Sequence, residues 1–343
     1  MKVLRKRKSL LVLLAFVLVF ALAACGNNDP APPPADNNDN GEQAAPTLNY
    51  PTRDIRAIVP FAPGGGTDVM ARNVAANINL DGRNMVIMNI EGAGSGIGSM
   101  EAYHAAGDGY TLLVHSIEAV VSNYLVGTFT IPLHERMEWV ATIVSDANAV
   151  SVRADSPFQT VHDLIAYAQA NPGEVLFASM GIGTAAHTGA VEFWDAANIE
   201  VNYVPYDGAA GARAAVLGGH ADVLFGQVSE VKPLYVAGEM RILGILSPER
   251  QDFLPDTPTM MEQGVNVANT ITRGFMVAPG TPRDVMEYLE ARIYEVFIDP
   301  EFQNRLREDL GFYTQWMGID ESAAFMAGRV PIQTELARRL GLL

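Results

Sequence analysis

IRAIVPFAPGGGTDVMARNVAANI, residues Ile55 to Ile78, reads as a strand, a glycine turn and a helix in immediate succession. Ile55 to Phe61 is a β-branched and apolar run of strand length. Gly64-Gly65-Gly66 then breaks it, and from Thr67 to about Ile78 the residues Val69, Ala71, Val74, Ala75 and Ile78 recur at helical spacing. Working outward, Met85 to Ile90 is a second strand, Gly92-Ala93-Gly94-Ser95-Gly96 a second glycine loop, and Gly98 to Ala106 a short helix. Tyr110 to His115 and Ala149 to Val152 follow as strands. Then come a helix from Val161 to Ala170, closed by Asn171-Pro172-Gly173, and strands at Val175 to Ser179, Asn202 to Pro205, Asp222 to Phe225 and Ile242 to Leu246. Alternating strands and helices imply an α/β fold with largely parallel sheets. Thr281 to Ile298 reads as an amphipathic helix with Val285, Tyr288, Leu289, Ile293 and Val296 on its apolar face, and Ile332 to Leu340 as another; both suit packing. No internal repeat is visible.

Three glycine-bearing turns carry the functional argument, because glycine lets backbone N–H groups approach a ligand without obstruction by a Cβ. The first is FAPGGGTD, Phe61 to Asp68, where the free N–H groups and dipole of the coming helix form an anion site unless Thr67 or Asp68 caps it. EGAGSGIG, Glu91 to Gly98, and MGIGTAAHTG, Met180 to Gly189, repeat the arrangement. His187 falls on the first helical turn after Gly183 and Thr184, and would either meet a ligand or serve capping and packing.

Other chemistries are excluded motif by motif. GxxxxGK[ST] is absent, and the glycines at 92, 94, 96 and 98 miss GxGxxG, since Ile97 and Ser99 occupy the third glycine's place in the two registers. GxSxG and HExxH are absent, and the histidines at 104, 115, 134, 162, 187 and 220 lack metal-ligand spacing. The single cysteine, Cys25, rules out an intrachain disulfide, a thiol nucleophile in the folded body and a cysteine-rich zinc site. No cofactor is expected.

That cysteine follows Leu22-Ala23-Ala24 at the end of an apolar run from Leu10, itself preceded by Lys2, Arg5, Lys6, Arg7 and Lys8. Fifteen apolar residues fall short of the roughly 20 that cross a bilayer, so residues 1–24 read as an export signal. The group resembles a bacterial lipobox, which implies cleavage before Cys25 and acyl chains on it, anchoring the protein to the membrane surface outside the cytoplasm. Loss of residues 1–24 removes five basic residues and no acidic one, taking the formal net charge from −16 to −21 and arguing against a nucleic-acid partner. Residues 25–49, rich in Asn, Asp, Pro and Gly, read as a disordered tether. The remaining body, with 49% apolar residues in the whole chain, suits two domains.

The ordered blocks YPTRDIRAIVPFAPGGGTDVMAR, EGAGSGIGSMEAYHAAGDGYTLLV, ADSPFQTVHDLIAYAQANPGEVLFAS, VPYDGAAGARAAVLGGHADVLFG, LPDTPTMMEQG and FMVAPGTP resemble the tripartite tricarboxylate transporter substrate-binding proteins, or Bug family of extracytoplasmic solute receptors. The resemblance runs from Tyr50 to the C-terminus. It implies a type II periplasmic-binding-protein fold, two α/β lobes joined by crossover strands with the ligand in the cleft between them. Lobe 1 would comprise residues 50–150 with 272–343, and lobe 2 residues 151–271. The resemblance places Phe61, Gly64, Gly65, Gly66, Thr67, Asp68, Ser95, Gly96, Ile97 and Ser116 on one jaw, holding a ligand carboxylate through backbone, hydroxyl and water. Gly183, Thr184, His187, Tyr206, Asp207 and Gly208 would form the other. Asp207 stands where many members carry a basic residue, giving YDG for YKG, which favours a neutral or amine-bearing distal end over a third carboxylate. Arg273, before a crossover segment at Gly274 to Ala278, is expected either to clamp a carboxylate or to lie on the surface; Arg72 and Arg213 are expected to be solvated charges. The implied function is capture of a small carboxylate or amino acid for delivery to membrane permease subunits, without enzymatic chemistry and as a monomer by default. The alternatives are a sensory lipoprotein signalling to a histidine kinase and an exported enzyme with an unrecognised site.

Overall fold

The computed structural model describes residues 48–181, 184–206, 208–339, 341 and 343. The expected export signal, Cys25, nearly all of the tether, Gly183 and Asp207 lie outside the described residues. Residues from Leu48 onward form a compact body.

Its first part runs β1 (Ile55–Val59), α1 (Gly66–Asn77), β2 (Met85–Asn89), α2 (Gly96–Tyr103), β3 (Thr111–Ser116), α3 (Ile117–Leu125) and α4 (Leu133–Arg136). The long strand β4 (Glu138–Arg153) then leads to α5 (Val161–Ala170), β5 (Leu176–Met180), α6 (Ala185–Ala197), β6 (Asn202–Tyr206), α7 (Ala209–Leu217), β7 (Val223–Gln227), α8 (Val228–Val236) and β8 (Met240–Ile245). The chain returns through β9 (Thr270–Val277) to α9 (Arg283–Phe297), α10 (Pro300–Asn304), β10 (Tyr313–Met317) and α11 (Ile319–Arg339).

The strands form one ten-stranded sheet in the order β2-β1-β3-β9-β4-β7-β5-β6, with β8 and β10 also paired to β4. β4 is the axis. Its first part pairs antiparallel with β9 and β10, and from Asn148 onward it pairs with β7 and β8, so one strand belongs to both lobes. The strand expected at Ala149 to Val152 is only the C-terminal part of β4, which extends back through the polar residues Ser145, Asp146 and Asn148. All three are buried at the crossover, where Asp146 and Asn148 have hydrogen-bond partners. Period-2 alternation fills cores on both faces of the first lobe: Ala57, Val59, Leu112 and Val114 pack with Leu289 and Ile293 of α9, while Ile58 and Leu113 pack with Val120, Trp139 and Met326. In the second lobe Val223 and Phe225 join Leu164 and Phe193 of α5 and α6, and Leu224 turns to Val216, Val231 and Ile242. α5 begins at a capping box in which Thr160 Oγ1 accepts from Asp163 N–H (3.2 Å) and Asp163 accepts from Thr160 N–H (2.8 Å). α11 starts 13 residues before the expected helix at Ile332 and continues through Pro331. No helix among the described residues is long and apolar enough to cross a membrane.

Candidate functional site

Parallel pairing decides where the loops go. β1 pairs parallel with β2 and β3, so the turns that follow these strands gather along one edge. β5 pairs parallel with β6 and β7, which gathers the N-termini of α6, α7 and α8 along another. Ligands of α/β sheets bind beyond such carboxyl ends. The two edges meet at Gly66, whose N–H donates to Glu230 Oε1 of α8 at 3.5 Å. A Cβ at Gly66 would lie 3.1 Å from Arg273 Nη2 and 3.2 Å from Ser229 Oγ, so only glycine lets α1 begin here without displacing either.

The first loop is organised from within. Asp68 is buried; its Oδ2 accepts from Gly64 N–H (2.8 Å) and Arg72 Nε (3.0 Å), and its Oδ1 accepts from Asn89 Nδ2 (2.8 Å). Burial pushes its carboxyl upward, but these donors outweigh it and hold the group below the ordinary carboxylate range. Asp68 therefore shapes the turn, its side chain already saturated, and Arg72 is half-exposed and engaged with Asp68 and Asn89 rather than simply solvated. Neither Thr67 nor Asp68 caps α1; the N-cap is Gly65, with no side-chain hydrogen bond. α2 and α7 likewise begin at Ser95 and Gly208 without a side-chain cap. α1 and α7 thus present first-turn N–H groups and dipole at these edges, with Gly66 N–H given to Glu230, whereas in α2 Gly96 N–H donates to Ala93 O and Ile97 N–H to Gly92 O.

The second loop is wound left-handed through Gly92, Ala93, Gly94 and Ser95, with φ of 118°, 48°, 58° and 83°. Two of these are not glycine, a strained conformation that its surroundings must hold. Asn123 provides that: its Nδ2 donates to Gly94 O (3.0 Å) and to Ser95 Oγ (2.9 Å). His115, fully buried, lies with Nε2 3.1 Å from Ser95 Oγ while Nδ1 accepts from Ser116 N–H at 2.9 Å. Nδ1 also lies 3.2 Å from Ser116 O, so the ring proton bonds either Ser95 Oγ from Nε2 or Ser116 O from Nδ1. Burial drives the His115 pKa down to about 4, keeping the ring neutral. With the proton on Nε2, Ser95 accepts twice and keeps its own O–H hydrogen to donate; with it on Nδ1, that hydrogen goes to the ring. Phe61 packs edge-on to the His115 ring at 5.2 Å, and Ile97 is exposed. Ser116 ends β3 and caps α3, its Oγ accepting from Ala119 N–H at 3.4 Å.

On the second lobe Thr184 caps α6, accepting from His187 N–H at 3.2 Å and donating to Gly181 O at 2.8 Å. The His187 ring packs on Tyr203 at 4.8 Å and Trp194 at 6.4 Å, and burial lowers its pKa. Packing of the ring is therefore evident, while the cap itself is Thr184. Tyr203 O–H donates to Met180 O, tying the loop before α6 to β6. Tyr206 ends β6, half-buried beside Gly211.

Of the two roles expected for Arg273, a carboxylate clamp or a surface charge, burial overturns the second. The residue is 3% exposed; Nη1 pairs with the fully buried Asp146 at 2.8 Å and Nε donates to Thr67 Oγ1 at 3.2 Å. Asp146 also accepts from Ser229 N–H and O–H. β9, β4, α1 and α8 are thereby joined at the crossover, and the guanidinium is committed there. Arg213 is half-buried and acts electrostatically on Glu230. A 450 Å³ hollow beside Trp139, Met326 and Val330 lies between α4 and α11, away from all these loops.

The sequence signature of the tripartite tricarboxylate transporter family receptor matches residues 70–342. A Pseudomonas sp. (strain P51) UPF0065 protein from the tcbD–tcbE intergenic region is 32% identical over 270 residues, 77% of this chain and 80% of the relative. Protein BugT of Bordetella pertussis is 36% identical over 218 residues, 63% and 67% of the two chains. Among solved structures, the periplasmic binding protein BugD superposes with a TM-score of 0.79 at 28% identity, and R. palustris Rpa4515 with adipate with 0.80 at 26%; each covers 85% of this chain and 99% of its own.

Proposed function

The chain belongs to the tripartite tricarboxylate transporter family of receptors, and from that premise we propose that it captures a small organic carboxylate outside the cytoplasm and delivers it to a membrane permease. The observation that carries this reading is the pair of helix starts, α1 and α7, whose N-caps Gly65 and Gly208 supply no side-chain hydrogen bond and which stand at the two sets of strand ends. Adipate in the Rpa4515 relative suits a site of this kind. One carboxylate is held by the N–H groups of Thr67 and the rest of the first turn of α1, with the Ser95 hydroxyl beside it and Phe61, Gly64, Gly65, Gly66, Gly96, Ile97 and Ser116 lining the jaw. Asp68 and Arg273 act behind it. Gly183, Thr184, His187, Tyr206, Asp207 and Gly208 address the distal end, where the carboxylate of Asp207 favours a neutral or amine-bearing group. Each hydrogen bond to a charged oxygen contributes about 1.5 to 3 kcal/mol. A handful, after desolvation and ordering, supports micromolar binding, which needs about −8 kcal/mol.

Lobe 1, residues 50–150 with 272–343, closes on lobe 2, residues 151–271, about β4 and β9, so that the permease distinguishes loaded from empty receptor. Cys25 carries the lipid that holds the receptor at the membrane. A thermal-shift screen against mono-, di- and tricarboxylates and amino acids tests the reading, since a ligand of the native state raises the midpoint by mass action. A dicarboxylate or amino acid should raise it and be recovered chemically unchanged. No shift from any carboxylate, or conversion of the one that binds, would overturn the proposal.

A further inference from the structure

Two carboxyl groups on different helices are joined by a chain of three amides through the crossover. Gln227, at the end of β7, lies 3.0 and 3.1 Å from the carboxyl oxygens of Glu230. Its other amide atom is 2.9 Å from Asn148 on β4. Asn148 is 2.5 Å from Asn269, just before β9, and Asn269 is 2.6 Å from Glu192 Oε2 on α6. The space is built for this chain: a Cβ at Gly189 would stand 2.6 Å from Asn269 Oδ1 and 3.0 Å from Asn148 Nδ2. Backbone bonds lock the same positions, Asn148 N–H to Asn269 O and Asn269 N–H to Leu246 O.

Each amide has one donating and one accepting end, so the chain has a direction. When Asn269 donates to Glu192, Asn148 donates to Asn269 and Gln227 donates to Asn148; Gln227 Oε1 then faces Glu230, which must supply a proton. With all three amides turned over, Gln227 donates to Glu230 and Asn269 Oδ1 requires the proton from Glu192. Two carboxylates would leave one oxygen-to-oxygen contact without hydrogen, and two acids would leave a proton without an acceptor along the chain. One proton satisfies every link.

We infer that Glu230 and Glu192 share one proton through Gln227, Asn148 and Asn269, and that its position sets the charge beside the first turn of α1, making Glu230 a determinant of the ligand charge the site accepts. The second clause rests on the carboxylate reading of that turn. Glu230 faces Arg213 on α7, Arg273 on β9 and Asp146 on β4; Glu192 faces Arg329 and Arg339 on α11 and Asp195 on its own helix. Burial raises both carboxyls above their ordinary range, the direction a shared proton requires. A ligand carboxylate beside Gly66 repels an ionised Glu230, and transfer of the proton to that end removes the repulsion while Glu192 takes the charge near the α11 arginines.

Infrared difference spectra near neutral pH test the shared proton on the intact protein. Glu192→Gln and Glu230→Gln should each remove the same single protonated-carboxyl band, and the double variant should remove no more. Bands that are separate and add in the double variant, or no such band in the parent, would overturn it. Should a variant fail to fold, carbon-detected carboxyl titration of the unsubstituted protein decides the matter: a shared proton makes both glutamates respond in the same two steps, independent groups in one step each. With succinate as the probe, Glu192→Gln releases Glu230 to ionise and should weaken binding by about tenfold, whereas Glu230→Gln should hold or tighten it. Equal effects would refute the role in ligand selection. Failure of succinate and every other carboxylate to bind the parent protein would instead refute the receptor reading, and the infrared result would stand alone.

Discussion

Arg273→Met removes the cation that holds the crossover together, and the structure sets the size of the effect. Asp146 is fully buried and Arg273 nearly so, with 2.8 Å between them, so solvent screens neither charge. Deleting one partner strands the other, at a cost of about 3 to 5 kcal/mol. The lost bond to Thr67 adds about 1 kcal/mol, while the Phe312 ring, 5.9 Å from the guanidinium carbon, lies at the limit of a cation–π contact and adds little. The total is about 4 to 6 kcal/mol, or a fall in Tm of about 8 to 20 °C for a body of this size. Denaturant unfolding of Arg273→Met, Asp146→Asn and the double variant measures it. Because the amide that replaces the Asp146 carboxylate would still accept from Ser229 without a charge to bury, the double variant should recover at least about 2 kcal/mol relative to Arg273→Met. A loss below about 1 kcal/mol in Arg273→Met, or strict additivity in the cycle, would refute the reasoning that the pair is a buried strut.

Gly274→Ala drives a Cβ into Ala141 O and to 2.6 Å from Thr142 Cα across the β4–β9 pairing and should cost about 3 kcal/mol or more in a melting experiment, whereas Gly328→Ala on α11, with open space around it, should stabilise by about 0.5 to 1 kcal/mol. His115, with a folded pKa of about 4 against an unfolded 6.5, binds its proton less readily when folded, so its contribution is complete above pH 6.5 and is lost as the pH falls toward 4, about 3 kcal/mol in all. Glu118, Glu230 and Asp146, raised by burial, act in the opposite sense, so the test is the difference between parent and His115→Gln, whose stability should be flatter over that window. Cys25→Ser should move the protein from the detergent-soluble membrane fraction to the aqueous fraction of expressing cells; retention in the membrane would count against lipid attachment.

Legibility in the sequence followed the range of the interactions. The strand at Ile55, its glycine turn, the helix of α1 and the α5 boundaries are encoded by neighbours in the chain, and the folded body reproduces them to within a residue or two. α9 buries Val285, Leu289, Ile293 and Val296, the apolar stripe read from its spacing. Only the Ala149 to Val152 part of β4 is legible from neighbours, since Asp146 and Asn148 are polar for the sake of partners 127 and 121 positions away. The same range concealed Asn123 and His115, which support Ser95, and Glu230, which meets Gly66 across 164 positions. A polar residue inside an otherwise apolar strand was the available signal. Asp68, read as part of the jaw, turned inward because a carboxylate three residues into a helix reaches back to the N–H groups of its own turn.

The central claim is that main-chain amides at the start of α1, with the Ser95 turn, grip a ligand carboxylate. A crystal structure with the carboxylate that gives the largest thermal shift measures this directly. The expected result is a carboxylate oxygen about 2.7 to 3.1 Å from the N–H of Thr67 or Asp68, with its second oxygen at the Ser95 hydroxyl. A ligand whose acid group instead pairs with an arginine side chain away from these turns, leaving the amides of α1 to water, would contradict it.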